Sequence, residues 1–240
     1  MKRFLSLLFC VLSCLIASAQ AIDTWKISAD KIDPSNYYGI TVANGMIGIV
    51  YSAEPFKVKD VVLAGAYDLY GRGRVSNFLR SFNLLNMQMD IDGNRLGAAK
   101  TTNMKQQLDM KHASFTTSFD YADKATISYT YYSLRQLPFT VLMDVTVTAK
   151  KDMLLGSASV MEAPDALKEV QNYYNEIDRP HVVISLLTSS AKSPTGTLLM
   201  CAPNTFLFSE PNGQEPRVIH EMWDNNTHLL NYSRKRKAGK

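Results

Sequence analysis

Residues 85–93 read Leu-Asn-Met-Gln-Met-Asp-Ile-Asp-Gly, an unbroken alternation of apolar and polar side chains that ends on a glycine. Alternation with a period of two places the apolar side chains on one face of a β-strand and the polar side chains on the other. This stretch therefore predicts a strand with one face against a core and the other face in water.

The same pattern recurs along the chain. Residues 115–121, 127–131 and 141–147 also alternate, and turn-forming clusters separate these runs. Further β-rich runs occupy residues 46–51, 58–65, 181–187, 197–201, 205–208 and 228–233. Many short strands joined by tight turns predict an all-β protein, built as a large antiparallel β-sandwich with one or two short helices.

One segment has helical spacing instead. Pro164 suits the first turn of a helix, where its missing N–H costs no hydrogen bond. Leu167, Val170 and Tyr174 follow at intervals of three or four residues, which would place them on one helical face. We therefore expect a short helix near Asp165 to Tyr174, at an edge of the sandwich or between two sheets.

The N-terminus has the three-part organisation of a signal peptide. Lys2 and Arg3 precede an apolar run from Phe4 to Ile16, and residues 17–21 offer two overlapping small-x-small cleavage sites. The apolar run is shorter than the roughly twenty residues that a membrane-spanning helix needs. We therefore expect residues 1–21 to be a signal peptide, and the mature protein to be periplasmic or secreted with no membrane span.

The remaining chain, residues 22–240, is predicted to form a single β-sandwich domain, because it contains no internal repeat, low-complexity tract or linker. Cys201 is its one cysteine, so an intramolecular disulfide is excluded and a packed core has to stabilise the fold. A second cysteine in the leader, Cys14, leaves open whether the protein carries a lipid anchor.

Charge and histidine spacing limit the partners and cofactors. The chain has 26 Lys+Arg and 22 Asp+Glu, a net charge of +4. Part of this surplus lies in the leader and in a cluster at residues 234–240, so the body is nearly balanced and no nucleic-acid partner is expected. The four histidines lack the paired spacing that metal sites use, and we expect neither a metal nor a cofactor. These histidines are His112, His181, His220 and His228.

No motif marks a catalytic centre. The chain has no Gly-x-Ser-x-Gly sequence of the kind that presents a nucleophilic serine. Glycosidic cleavage needs two carboxylates placed across a bond, and spacing distinguishes no such pair. Asp90 and Asp92 share a strand face, but it is the polar face of an amphipathic strand and indicates solvated surface. The sequence therefore predicts no catalytic residue.

Two kinds of residue are candidates for binding a sugar. Gly71-Arg72-Gly73-Arg74 could form a cationic loop for phosphate or acidic sugars, or a plain surface turn. Tyrosine and tryptophan combine a flat apolar face with a polar tip, which suits stacking under a sugar ring, although sandwich cores and edges also use many tyrosines. The candidate substrate-binding residues are Arg72, Arg74, Tyr132, Tyr173 and Trp223.

The segment at residues 37–48, Tyr-Tyr-Gly-Ile-Thr-Val-Ala-Asn-Gly-Met-Ile-Gly, resembles the Asn-Gly-x-x-Gly segment near the start of glycoside hydrolase family 65 enzymes. Further segments follow in the order that this family shows, and the later ones resemble an exported bacterial branch. They are residues 61–68, 83–84, 92–93, 107–111, 176–181 and 220–224. The resemblance covers nearly all of the mature chain.

The resemblance implies a galactose-mutarotase-like super-sandwich, the N-terminal domain of the trehalases and of the maltose and kojibiose phosphorylases. In that family the catalytic acid lies in an α/α toroid that follows the sandwich. Because the sequence stops at Lys240, we expect a chain truncated before the toroid, with a sandwich incomplete at its C-terminal end. Hydrolase and phosphorylase activities stay open at this point.

The expected function is therefore that of a non-catalytic N-terminal sandwich from an exported enzyme acting on α-glucosides. Its partners would be the catalytic toroid and, through the full-length enzyme, a carbohydrate, and the chain could also form a homodimer. On this hypothesis the chain alone is inactive. The alternative is a stand-alone carbohydrate-binding or surface interaction module.

Overall fold

The computed structural model describes residues 23–71, 75–97, 100–179, 182–209, 217–222 and 227–236. Within these residues the chain forms 17 strands and one 3-10 turn, Pro34–Asn36. Every pair of neighbouring strands is antiparallel, and the strands are distributed over four sheets.

Two of the sheets come from the first two-thirds of the chain. The five-stranded sheet has the order β1 (Lys26–Ala29), β8 (Thr101–Asp109), β9 (Ser114–Tyr121), β10 (Ala125–Ser133) and β11 (Val141–Ala149). The four-stranded sheet has the order β2 (Thr41–Ala43), β3 (Ile47–Tyr51), β4 (Val58–Leu69) and β5 (Ser76–Arg80).

The other two sheets combine two strands from the first half of the chain with all strands after residue 150. The second five-stranded sheet has the order β16 (Arg217–Met222), β17 (Thr227–Arg236), β12 (Met153–Glu162), β6 (Asn83–Ile91) and β7 (Asn94–Arg95). The three-stranded sheet has the order β13 (Lys168–Arg179), β14 (Val182–Lys192) and β15 (Leu199–Ser209).

The predicted alternating strand at residues 85–93 is β6. Met89 and Ile91 are buried in the main core, and Ile91 lies opposite Leu155 of β12. On the other face Asp90 forms an ion pair with Arg95 at 2.9 Å. The prediction of an all-β, antiparallel sandwich is confirmed.

The main core lies between strands of three sheets, and aromatic rings form its centre. The ring of Tyr51 on β3 is 4.4 Å from Phe115 on β9 and 5.0 Å from Tyr131 on β10, measured between ring centroids. The Tyr131 hydroxyl donates a hydrogen bond to the Leu85 carbonyl at 3.1 Å. This bond satisfies a polar group deep in the core and ties β10 to β6.

The helix predicted near Asp165 to Tyr174 is wrong, because these residues lead into and form strand β13. Strand β13 contains a β-bulge between Lys168 and Gln171. These two residues are three positions apart, but their partners on β14, Lys192 and Ser190, are only two apart. Glu169 inside the bulge has φ +54°. Leu167 and Val170 both face the smaller core. Residues on one face of a regular strand are two apart, and the extra residue of the bulge makes this interval three. A bulge in a strand thus mimics helical spacing.

A smaller second core holds the three-stranded sheet against β4 and β5. Its buried members are Ala66, Leu79, Phe82, Met161, Leu167, Leu187, Ala191 and Met200. The predicted signal peptide, residues 1–21, lies outside the described residues. Among the residues that are described, no helix is long and apolar enough to cross a membrane.

Candidate functional site

The sequence-predicted sugar-binding residues do not form one site among the described residues. Tyr132 is half-buried on β10 between Ser114 and Leu142, whereas Tyr173 is exposed on the three-stranded sheet. The other three candidates lie outside the described residues: Arg72, Arg74 and Trp223. All five assignments stay predictions.

The most distinctive exposed feature is the outer face of the β4–β5 hairpin. A register shift between Val62 and Tyr67 resets which side chains of β4 point outward, and Gly65 within it has φ +82°. Beyond the shift, Tyr67 lies opposite Phe78 of β5. Their ring centroids are 4.7 Å apart with planes tilted by 39°, and the residues are 45% and 64% exposed. Two large aromatic rings therefore stack on each other in water.

Further exposed apolar side chains follow towards the end of the same hairpin. Leu69 follows Tyr67 on the same face, because alternate strand residues share a face. We call the whole set the hairpin patch: Tyr67, Leu69, Tyr70, Val75 and Phe78. The Asn77 amide donates hydrogen bonds to the carbonyls of Tyr70 at 2.5 Å and Val75 at 3.1 Å. The bond to Tyr70 connects the two arms of the hairpin, and the bond to Val75 is local to the second arm.

The inner face of the hairpin is fixed to the turn between β14 and β15. Asp68 is buried, and its carboxylate accepts hydrogen bonds from the Thr195 backbone N–H at 2.9 Å and the Thr195 hydroxyl at 2.6 Å. Hydrogen bonds from the side chains of Ser193 and Thr195 hold the pKa of the Asp68 carboxyl well below its usual range. The charged carboxylate therefore anchors the hairpin, with Leu79 buried beside it in the smaller core.

A shallow polar cleft of about 100 Å³ lies at the base of the hairpin. The Arg80 guanidinium and the Asp60 carboxylate, 3.2 Å apart, both line it. Its wall also includes Asn83 and Glu162. Sites that enclose a small ligand usually have several hundred cubic ångströms, so this cleft is too small to enclose a disaccharide.

Buried amides organise the wall of this cleft. The Asn83 amide donates to the Val58 carbonyl at 2.8 Å, and the Asn86 side-chain oxygen accepts from the Val58 N–H at 2.7 Å. The Asn86 amide donates to the Glu162 carboxylate at 3.1 Å. These bonds join β4 to β6 and β6 to β12, and Glu162, which is exposed, accepts the last of them. No group of three or more potential metal ligands occurs among the described residues.

No family model matches the chain. The chain is 64% identical over 238 residues to a kojibiose hydrolase of Mucilaginibacter mallensis, and 48% identical over 218 residues to a kojibiose hydrolase of Flavobacterium johnsoniae. These matches cover 99% and 91% of this chain but only 35% and 32% of the relatives. The chain thus spans about a third of the length of the curated relatives it matches.

A solved protein named "Putative kojibiose phosphorylase from human microbiome" shares the fold, with a TM-score of 0.61 at 12% identity. This likeness covers 90% of the present chain and 31% of the solved one. The chain is homologous to the N-terminal part of glycoside hydrolase family 65 enzymes. The resemblance in the sequence is thereby confirmed.

The Asn-Gly segment of the chain, which carried the resemblance, is a structural turn. The Asn44 side-chain oxygen accepts from the N–H groups of Met46 and Ile47, both at 2.9 Å, and its amide donates to the Leu134 carbonyl at 2.7 Å. Gly45 has φ +91°, a conformation that favours glycine. The segment therefore joins β2 to β3 and anchors the loop at Leu134.

The hairpin patch is not among the binding sites that the sequence predicts. Its signal was present: Tyr67-Asp68-Leu69 places apolar residues on both sides of an acidic one, next to the glycine-rich stretch 71–74. In a half-buried strand this pattern would place the Tyr67 and Leu69 side chains in the core and the Asp68 carboxylate in water. The structure has the reverse, because the register shift turns Asp68 towards Thr195.

Proposed function

We propose that this chain is the non-catalytic N-terminal β-sandwich of an exported enzyme that acts on α-glucosides, and that it supports a catalytic toroid. The observation that carries the proposal is the 64% identity to a kojibiose hydrolase across 99% of this chain and 35% of that enzyme. The proposed substrate class follows from the name of that relative. The toroid as partner follows from the family resemblance.

The chemistry of the described carboxyl groups supports a non-catalytic role. A glycosidase needs a carboxylic acid with a raised pKa beside a second carboxylate. In the described residues, wherever the pKa of a carboxyl group is shifted, it is lowered. The cause is hydrogen bonding from hydroxyl, backbone N–H, ammonium or imidazole donors, which stabilises the charged form. These groups are Asp33, Asp68, Asp92, Asp109, Asp120 and Asp123. Such groups suit ion pairs and turns better than proton donation.

A chimera tests the proposal. This chain replaces the matching part of the Mucilaginibacter kojibiose hydrolase, and the kojibiose-hydrolysing activity of the chimera is compared with that of the isolated chain. We expect the chimera to hydrolyse kojibiose and the isolated chain to be inactive. Hydrolysis by the isolated chain that a substitution within the chain abolishes would overturn the proposal, as would a folded chimera without activity.

Export is a separate part of the proposal, supported by the three-part leader in residues 1–21. Expression in a Gram-negative host should place the protein in the periplasm or medium, with an N-terminus at Gln20 or Ile22. N-terminal sequencing of the exported fraction checks this. Recovery of uncleaved protein from the cytoplasm alone would contradict it.

The alternative function is that of a stand-alone carbohydrate-binding module. The exposed Tyr67–Phe78 ring pair favours it, because flat aromatic faces can stack under sugar rings. Calorimetric titration of the isolated chain with kojibiose and maltose discriminates the two functions. Binding that Phe78→Ala removes would support the module and count against the supporting role.

A further inference from the structure

We infer that the hairpin patch is the surface on which the rest of the full-length enzyme docks. This inference rests on the proposed function and adds to it the location of the contact and the chemistry of the partner surface. The occupant is the part of the homologous enzymes that this chain does not match, about two-thirds of their length. Its facing surface is expected to be apolar.

The first support is the size and continuity of the patch. Single exposed apolar residues are ordinary on protein surfaces, whereas a contiguous group marks an interaction site. Here Tyr67, Leu69 and Phe78 share one face of the hairpin, with two of the rings in contact, and Tyr70 and Val75 lie at the strand ends beside them. Each of the five is at least 45% exposed. In the isolated chain, water contacts apolar area that a partner surface would cover.

The second support is that the hairpin is held in place from its inner face. Asp68 is anchored by Thr195, Leu79 is buried in the smaller core, and Asn77 bridges the two arms. The rings are therefore already ordered before any partner arrives. Pre-organised aromatic side chains lose little conformational freedom on binding, which makes them effective interface anchors.

The third support is the chemistry of the rim, which favours a protein surface over a sugar. Leu69 and Val75 are branched aliphatic residues that offer no flat face for stacking and few hydrogen bonds to hydroxyl groups. The charged groups beside the patch, Arg80 and Asp60, already form an ion pair.

Hydroxyl-radical footprinting with mass spectrometry tests the inference on unmodified side chains, in the isolated chain and in the chimera. We expect rapid oxidation of Tyr67 and Phe78 in the isolated chain and oxidation slowed several-fold in the chimera. Leu142 on β11 and Tyr173 on β13 are exposed at other sheets and serve as internal references with little change. Trp25, just before β1, and Ile27, on β1, are also exposed and represent a different surface on which docking could occur.

Each other outcome overturns the inference in a recognisable way. An active chimera with unprotected Tyr67 and Phe78 overturns the docking surface and leaves the proposed function intact. Protection of Trp25 and Ile27 in their place assigns docking to another surface. Protection in the isolated chain by kojibiose alone indicates a sugar platform, and protection that rises with protein concentration indicates a second copy of the chain.

Discussion

The main core and the hairpin patch use the same kind of residue in opposite environments. The rings of Tyr51 and Phe115 are 4.4 Å apart and almost fully buried, whereas those of Tyr67 and Phe78 are 4.7 Å apart and face water. Ring contact is thus nearly the same in both places. The difference is the apolar area removed from water, which dominates the free energy of burial.

The two aromatic pairs have different roles. Phe115 and Tyr131 lie on neighbouring strands whose inner faces are covered by other sheets. The outer face of β4 beyond Gly65 has no such cover among the described residues. The core pair therefore stabilises the fold, and the hairpin pair is available for contact with another surface.

Truncation of a core ring is expected to have the largest effect on stability, and it tests the role of the buried aromatic pair. Phe115→Ala removes a ring packed against Tyr51 and should lower the free energy of unfolding by about 3–5 kcal/mol. Urea denaturation of the isolated chain measures this loss. Leu142→Ala, at an exposed position on β11, is the matched control and should change stability by no more than about 0.5 kcal/mol. Equal losses of stability in the two variants would contradict the stabilising role of the buried rings.

A turn glycine gives the next largest effect. Gly39 has φ +89°, and an added Cβ would lie 2.8 Å from the Tyr51 carbonyl oxygen. Gly39→Ala combines this clash with the roughly 1–2 kcal/mol cost of a left-handed conformation. Gly93→Ala is the control, since Gly93 has φ +73° with open space around its Cβ position. In urea denaturation, Gly39→Ala should lose clearly more stability than Gly93→Ala. Equal losses would mean that the core beside Tyr51 accommodates the methyl group.

The Asp68 anchor gives a smaller, pH-dependent effect on the inner face of the hairpin. Its pKa is lower in the folded protein than the ordinary value of about 3.9. A carboxyl group with a lowered folded pKa contributes stability above its unfolded pKa, and this contribution is lost as the pH falls. Asp68→Asn should therefore lower the melting temperature at neutral pH and approach wild type in acid.

Melting temperatures of both proteins from pH 8 down to about pH 1.5 check this prediction, because the contribution fades only as the pH falls below the unfolded pKa towards the lowered folded pKa. Asp144→Asn makes the same charge change at an exposed position on β11 and should leave the melting temperature nearly unchanged. A pH-independent difference between wild type and Asp68→Asn would show that the carboxylate charge does not hold the hairpin.

Much of the fold could be predicted from sequence, because apolar and polar residues alternate over residues 85–91 and burial alternates along β10 and β11. The exception in β6 is Asn86, which lies on the polar face of the pattern but is buried. Strand β12 has no counterpart among the predicted strands, since Gly156, Ser157 and Ala158 are too small to display alternation. The helix was predicted wrongly because a bulge in β13 copies helical spacing. In both cases pairing with distant strands decided the conformation.

The site was less predictable than the fold. Whether Tyr67 faces a core or water depends on the register shift in β4, which involves pairing with a strand some ten residues away. Composition contains no trace of such a shift. Aromatic residues alone pointed to Tyr132 and Tyr173, which the structure places on different sheets.

The thermal unfolding midpoint of Phe78→Ser, in the isolated chain and in the chimera, tests whether the hairpin patch is a docking surface. If the hairpin patch docks on the rest of the enzyme, the substitution leaves the isolated chain within about 0.5 kcal/mol of wild type. In the chimera it lowers the midpoint by several degrees, because a buried interface ring is lost. Phe115→Ala should destabilise both proteins alike. A Phe78→Ser chimera as stable as its parent, or an equal loss in both proteins, would contradict the account.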